Sequence, residues 1–200
     1  MTTQDQSGLT ADNVVAFIGD VFDRCGDDEY LGEPVTVAEH MLQGATLAEN
    51  GNMSTEIIVG ALLHDIGHFT SEFGTFSMDD TQDRYHEEAG AQVLATFFPP
   101  VVVDCVRYHV AAKRYLCATR PDYLDQLTEA SRHSLKLQGG PMNEDEVAEF
   151  NLNPNLDVIV QVRLLDDGGK VAGVNTPPYE HFAPLIQQMV NQHAATALRT

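Results

Sequence analysis

The helical spacing of apolar residues is the feature that most constrains what this chain can fold into. Between Thr10 and Cys25, for example, Val14, Ile18 and Phe22 recur on one helical face, with Thr10 in the position of an N-cap. No segment sustains the alternation of apolar and polar residues that is typical of a half-buried strand. The pattern therefore predicts an all-α protein.

Caps and helix breakers delimit the predicted helices. Thr36 and Glu39 form a capping-box pattern that begins a second helix, and Gly51 ends that helix. The other helices are predicted over 54–64, 84–98 and 101–116, from Pro121 onward, up to Gln138, after Asn143, over 156–166 and after Pro178. Residues 69–83 are expected to form a loop, and residues 1–200 to form a single domain, which their number suits.

The charge balance narrows the classes of partner. The chain has 30 acidic and 11 basic residues, a net charge of −19, and this argues against nucleic acid and against an anionic membrane as partners. Because 43% of the residues are hydrophobic, a packed core is still available. The three cysteines form no CxxC pair, the first residues lack the apolar region of a signal peptide, and no apolar run approaches the roughly 20 residues of a membrane span. These features predict a cytoplasmic protein.

An adjacent histidine and aspartate, His64 and Asp65, follow an apolar run. A buried aspartate is costly unless it is paired or binds metal, and a lone His-Asp pair is most often a hydrogen-bonded part of a core. Further candidate ligands at helix ends or on apolar faces are His40, His86, His109 and Asp166. Nitrogen and oxygen ligands without thiolate suit iron, manganese or zinc, and they do not by themselves distinguish iron from manganese.

The order of these residues resembles the H…HD…D pattern of the HD-domain superfamily, and the interposed histidines resemble its two-metal branch. The resemblance implies a single HD-domain helical bundle with a dinuclear metal site in its core. The implied ligands are His40, His64, Asp65 and Asp166 for the first metal, and Asp65 as a bridge with His86 and His109 for the second. Most members of the superfamily are phosphohydrolases in which a metal pair activates water.

Longer segments resemble one smaller group, the HD-domain mixed-valent diiron oxygenases. The segments are 30–33 (YLGE), 109–116 (HVAAKRYL), 130–132 (ASR), 137–142 (LQGGPM) and 163–166 (RLLD). Members of this group cleave the C–P bond of 2-amino-1-hydroxyethylphosphonate, or of its N-trimethylated form, and release phosphate with glycine or glycine betaine. The resemblance implies a cofactor of two Fe ions, Fe(II) and Fe(III), with O2 as co-substrate.

Several polar residues lie at helical spacing from the candidate ligands. His68 follows His64 by four residues and faces the same way if the helix continues, and Lys113 follows His109 by four. Further donors suited to phosphonate oxygens are Ser131, Gln138 and Arg163. The alternative for the cations is a salt bridge on a solvated face, and for His68 an exposed helix end. In a chain with only 11 basic residues, cations beside the ligands favour substrate binding.

Two residues acquire a role only through the resemblance. It implies that Tyr30 caps the second iron in the resting enzyme and is displaced by substrate, whose amine then contacts Glu33. From the residues alone, Glu33 is a surface carboxylate. The acidic and Phe-containing stretches at 27–29 and 69–80 favour a trimethylammonium group, which needs negative potential and aromatic walls. The alternative for the second stretch is a lid loop packed on the core.

Three classes of function stay open on the sequence alone. They are a diiron oxygenase that cleaves a C–P bond, a phosphohydrolase acting on a nucleotide or phosphate ester, and a non-catalytic regulatory domain. The segments at 30–33, 109–116 and 137–142 favour the oxygenase. The expected partner is a small organophosphonate. The sequence leaves open the N-methylation of the substrate, the stereochemistry accepted and the oligomeric state.

Overall fold

The computed structural model describes residues 8–30, 32–70, 83 and 85–199. This part of the chain contains eleven helices and no strand, apart from an isolated bridge between Glu29 and Thr36. The all-α prediction is therefore confirmed. The helices are α1 Val14–Cys25, α2 Val37–Asn50, α3 Thr55–Leu63, α4 Gly67–Thr70, α5 His86–Leu94, α6 Pro100–Thr119, α7 Tyr123–Gln126, α8 Glu129–Leu137, α9 Glu144–Phe150, α10 Leu156–Gly168 and α11 Tyr179–Ala197.

The predicted caps have mixed outcomes. The capping box of α2 is confirmed, because Glu39 N donates to Thr36 Oγ1 at 3.2 Å and Thr36 N donates to Glu39 Oε2 at 2.8 Å. The prediction of Thr10 as the N-cap of α1 is wrong. Asn13 occupies that position, directly before Val14, and its Oδ1 accepts from Thr10 N at 2.7 Å in the turn before the helix.

Several helix boundaries differ from the sequence prediction. The helix predicted up to His64 ends at Leu63, and a turn separates it from α4, so the helix does not continue to His68. Helix α5 begins at His86 instead of residue 84 and ends at Leu94 instead of 98. Helix α6 is longer than predicted at both ends. Helix α7 begins at Tyr123, two residues after the predicted start at Pro121. Residues 71–82 of the expected loop lie outside the described residues.

Five helices surround the centre of the molecule. Helix α2 packs on α3 and α10, and α6 packs on α3, α5 and α10. Helices α1 and α11 pair with each other, and α11 also contacts α3. Most buried apolar side chains form one cluster around these helices. None of the described helices has the length and apolar character needed to cross a membrane.

Candidate metal centre

Two histidine rings meet between α2 and the end of α3. His40 Nδ1 donates to the carbonyl oxygen of Gly169 at 3.0 Å, and His64 Nδ1 donates to that of Ala61 at 2.8 Å. A carbonyl only accepts hydrogen bonds, so both protons are on Nδ1 and each Nε2 presents a lone pair. The two Nε2 atoms lie 3.0 Å apart. Backbone contacts that orient two lone pairs toward one point are typical of metal ligands.

A second pair of rings lies on the other side of Asp65. His86 is the first residue of α5 and His109 lies on α6, and their Nε2 atoms are 3.0 Å apart. His109 Nδ1 donates to the carbonyl oxygen of Val106 at 2.8 Å. His86 Nδ1 lies 3.4 Å from Glu87 Oε2. The second pair therefore resembles the first in its facing Nε2 atoms, but a backbone carbonyl orients only one of its two rings.

Asp65 lies between the two pairs, and each of its oxygens faces one pair. Its Oδ2 is 3.6 Å from His40 Nε2 and 3.4 Å from His64 Nε2. Its Oδ1 is 3.2 Å from the Nε2 atoms of both His86 and His109. A carboxylate in this position can bridge two metal ions.

Asp166, on α10, completes the first group. Its Oδ1 is 3.5 Å from His40 Nε2 and its Oδ2 is 3.7 Å from His64 Nε2. Asp65 Oδ2 and Asp166 Oδ1 are buried, and neither accepts a hydrogen bond from any residue that the structure describes. Buried polar atoms are rarely left without a partner, so these oxygens fit ligands of a cation.

The shifted pKa values of His40, Asp65 and Asp166 favour the protonation states that bind metal. Burial lowers the pKa of His40 to about 4, which favours the neutral imidazole that a metal requires. Burial alone would raise the pKa of Asp166. The charges of Arg163 and Lys170 outweigh burial and hold this pKa well below its usual value. The pKa of Asp65 is likewise well below its usual value, because contacts with the surrounding histidines outweigh its burial.

Two further rings cover the centre. Tyr30, in the segment between α1 and α2, stacks on His40 with ring centroids 4.2 Å apart. Its burial and the charges of Asp65 and Asp166 raise the pKa of its hydroxyl well above the ordinary value. His68 stacks on His86 at 4.0 Å, and its Nε2 lies 3.8 Å from Asp65 Oδ1. The α4 helix thus brings His68 to the site although α3 has ended.

A cavity of about 30 Å³ adjoins the centre. Its lining residues include Tyr30, Asp65, His68, His86, His109, Lys113, Ser131, Ser134, Gln138, Arg163, Asp166 and Lys170. All of the predicted substrate-binding residues except Glu33 are among them. Three of the lining residues are cations, and this is unexpected in a chain with only 11 basic residues.

The two lysines are each held by a serine of α8. Lys113 Nζ donates to Ser134 Oγ at 2.8 Å, and Lys170 Nζ donates to Ser131 Oγ at 3.0 Å. Lys170 Nζ also lies 3.3 Å from Asp166 Oδ1. Burial, followed by the charge of Arg163, lowers the pKa of Lys113 to about 7. Sequence reasoning did not identify Lys170 or Ser134. The available signal was that Lys170 follows Asp166 by four residues.

Arg163 and Gln138 occupy different positions in the cavity wall. The Arg163 guanidinium contacts the carboxylates of Asp166 and Asp167, and its Nε donates to Tyr123 Oη at 3.2 Å. Arg163 therefore supports a candidate metal ligand in addition to lining the cavity. Gln138 is the C-cap of α8, and its buried Oε1 accepts no hydrogen bond from the described residues.

Glu33 is not brought into the cavity wall with the other predicted residues. Its Oε1 accepts a hydrogen bond from Thr128 Oγ1 at 2.5 Å, at the start of α8. Two acidic or Phe-containing stretches, 27–29 and 69–80, were predicted to favour a trimethylammonium group. Residues 27–29 are partly to fully exposed, and residues 71–80 lie outside the described residues.

Comparisons with known proteins agree with this geometry. The family model described as HD domain matches residues 37–138. The chain is 69% identical over 193 residues to the [1-hydroxy-2-(trimethylamino)ethyl]phosphonate dioxygenase (glycine-betaine-forming) of Leisingera caerulea, covering 96% of this chain and 98% of that protein. It is 44% identical over 157 residues to the hydroxymethylphosphonate dioxygenase of Gimesia maris, covering 76% of this chain and 77% of that protein.

Proposed function

This chain belongs to the HD-domain family, and on that premise we propose that it is a metal-dependent oxygenase that cleaves the carbon–phosphorus bond of 1-hydroxy-2-(trimethylammonio)ethylphosphonate. The products are glycine betaine and phosphate. The Leisingera caerulea relative is named for this substrate and product, and its similarity extends over nearly the whole of both chains. The unmethylated 2-amino-1-hydroxyethylphosphonate is the alternative substrate for the same reaction.

The observation that carries the proposal is the group of three cations beside the candidate metal centre. Lys113, Arg163 and Lys170 line one small cavity of a protein with a net charge of −19. Cations with hydroxyl groups beside them bind the three oxygens of a phosphonate by charge-assisted hydrogen bonds. A phosphonate bound by these cations would have its hydroxylated carbon beside the neighbouring carboxylates and imidazoles, the candidate metal ligands.

The residues present fit a pair of metal ions. We assign His40, His64, Asp65 and Asp166 to the first ion, and Asp65, His86 and His109 to the second. The oxygens of Asp65 and Asp166 that accept no hydrogen bond from the described residues, and the facing Nε2 atoms, support this assignment. We propose iron, which suits nitrogen and oxygen ligands, with O2 as co-substrate. When bound, such a pair supplies the redox chemistry with O2 that protein side chains lack.

The charges of the two sites differ. The first site has the carboxylates of Asp65 and Asp166, whereas the second has Asp65 alone. More negative charge favours the ion of higher charge. We therefore assign Fe(III) to the first site and Fe(II) to the second.

The proposed reaction balances with one molecule of O2. The C–H and C–P bonds of the hydroxylated carbon break, and their four electrons reduce O2. The carbon becomes a carboxylate and phosphorus leaves as phosphate, so that the two added oxygen atoms come from O2.

The side chains around the cavity have separate roles in this scheme. Lys113, Lys170, Ser131 and Gln138 bind and orient the phosphonate. Arg163 keeps Asp166 ionised and in place. Tyr30 lies on His40 of the first site and His68 on His86 of the second, and substrate displaces Tyr30. Because the cavity of about 30 Å³ holds about one water molecule, substrate binding requires such a displacement.

Cleavage of a C–P bond is favoured over hydrolysis of a phosphate ester. Both named relatives are dioxygenases of hydroxyphosphonates, and one covers nearly the whole chain. A phosphohydrolase would share the metal ligands, so only the reaction itself separates the two functions.

The test is phosphate release from both phosphonates and from p-nitrophenyl phosphate, with and without O2. We expect O2-dependent release from the phosphonates, and a higher kcat/KM for the trimethylated compound. Hydrolysis of the ester without O2, with no release from either phosphonate, would contradict the proposal. A higher kcat/KM for the primary amine would change the proposed substrate to 2-amino-1-hydroxyethylphosphonate and leave the proposed reaction unchanged.

A further inference from the structure

We propose that Thr128 is a positioning residue that sets specificity for the cationic end of the substrate, by holding the Glu33 carboxylate beside the cavity. The inference rests on the proposed function, because it takes the substrate to carry both a phosphonate and an ammonium group. Thr128 itself contacts Glu33 and α8, and acts on the substrate only through Glu33.

Tyr30 and Glu33 lie on one tight turn. Glu33 N donates to the carbonyl oxygen of Tyr30 at 2.7 Å, and Tyr30 N donates to that of Val35 at 3.2 Å. Gly32 adopts a φ of 73°, a left-handed conformation that glycine takes without strain. A movement of Tyr30 therefore moves Glu33 as well.

The turn has two anchors on different parts of the molecule. On one side, the Tyr30 ring stacks on His40, a candidate metal ligand, at 4.2 Å. On the other side, Glu33 Oε1 accepts from Thr128 Oγ1 at 2.5 Å. A short hydrogen bond to a carboxylate is among the stronger ones in proteins, so this contact fixes the position of the negative charge.

Thr128 also connects the turn to the phosphonate end of the cavity. As N-cap of α8, its Oγ1 accepts from Ser131 N at 3.1 Å. Ser131 Oγ in turn accepts from Lys170, which lines the cavity. Glu33 is thereby connected through Thr128 and Ser131 to Lys170 at the cationic side of the cavity. Only two carbon atoms separate phosphorus from nitrogen in the proposed substrate, so a carboxylate next to the phosphonate-binding residues suits its cationic end.

Two substitutions separate the contact with Glu33 from the helix cap. Thr128→Asp keeps an acceptor for Ser131 N, and aspartate is a good N-cap, but at neutral pH it cannot donate to Glu33 and repels it. Thr128→Ser keeps both the donor and the cap. Asn143→Asp is the matched control, because it introduces an aspartate at the N-cap of α9. There, Asn143 Oδ1 accepts from Glu146 N at 2.9 Å.

The measurement is calorimetric binding to the iron-loaded protein without O2, with metal content determined for each variant. One ligand is the trimethylated substrate, and the other is hydroxymethylphosphonate, which has no cation. We expect Thr128→Asp to weaken binding of the first by about 10- to 100-fold, because it displaces the Glu33 carboxylate whose charge attracts the ammonium group, and to affect the second by less than about threefold. Thr128→Ser restores the affinity, and Asn143→Asp leaves the ratio of affinities unchanged.

Equal losses for the two ligands, or no loss for either, would overturn the role of Thr128 in specificity. A loss of metal in Thr128→Asp would also overturn it, because Thr128 would then support the metal centre. Wild-type protein that binds neither phosphonate would instead contradict the proposed function, so the two failures are distinguishable.

Discussion

At the scale of single residues, Asp65 links the two halves of the site, because each of its oxygens faces a different histidine pair. Asp65→Ala is therefore expected to lose both metal ions. His109→Ala removes a ligand of the second ion alone, and should retain the first. Metal analysis after iron loading checks both results, with His181→Ala on the exposed part of α11 as control. Two ions per chain in Asp65→Ala would refute the bridging assignment.

The lysines provide a second prediction at this scale. The sequence has three lysines, of which Lys113 and Lys170 line the cavity and Lys136 is exposed on α8. Lys113→Met and Lys170→Met should each weaken substrate binding by about 10- to 100-fold, since each removes a charge-assisted hydrogen bond. Lys136→Met is the matched control and should have no such effect. Calorimetry without O2 measures the affinities, and unchanged binding in both cavity variants would place the phosphonate elsewhere.

The sequence predicted most individual site residues, but not all of their contacts. The six candidate ligands come together because each lies at a helix end or on an apolar face, and such positions can be identified from spacing. Lys170 follows Asp166 by four residues, but this spacing is a weak signal because α10 ends at Gly168, before Lys170. Similarly, nothing in the sequence indicates that Thr128 meets Glu33, since 95 positions separate them.

At the scale of helices, a close approach of α4 and α5 positions His86. A Cβ atom on Gly67 would lie 1.8 Å from the carbonyl oxygen of His86 and 2.8 Å from Gly90 N. Gly67→Ala must therefore push α5 away from Asp65. We expect depletion of the second metal and a loss of about 1–3 kcal/mol in the free energy of unfolding, the usual cost of overpacking.

A buried glycine elsewhere offers the control for this prediction. A Cβ on Gly44 in α2 would meet its nearest neighbour, Ala61 O, at an ordinary 3.6 Å. Gly44→Ala should keep both metals and gain stability from helix propensity. Metal analysis and urea unfolding measure the two variants side by side. Full second-site occupancy in Gly67→Ala would show that α5 does not depend on this contact.

Helix boundaries show where sequence patterns succeed and where they fail. The start of α2 was predicted correctly, because both hydrogen bonds of its capping box are local in sequence. The end of α3 at Leu63 lies one residue before the predicted end at His64. His68 reaches the site through α4 and not by continuing α3. The predicted position of His68 near the candidate ligands is thus compatible with the structure, although the condition attached to it, that the helix continues to His68, is not met.

At the scale of the whole molecule, the large negative net charge affects the stability of the fold. The net charge of −19 destabilises the compact state through self-repulsion, and salt screens that repulsion. Raising NaCl from about 0.05 to 0.5 M, where the Debye length falls below about 10 Å, should raise the melting temperature of the metal-loaded protein. Thermal unfolding followed by circular dichroism tests this. A lower melting temperature in salt would mean that attractive ion pairs dominate the surface.

The central claim is a pair of iron ions, bridged by Asp65, beside a phosphonate-binding cavity. An electron paramagnetic resonance spectrum of the iron-loaded protein, recorded before and after addition of the trimethylated 1-hydroxyphosphonate without O2, tests that claim most directly. We predict the signal of a coupled Fe(II)/Fe(III) pair that changes when the phosphonate is added and is absent in Asp65→Ala. A signal from isolated iron alone, or a coupled signal that the phosphonate does not alter, would contradict it.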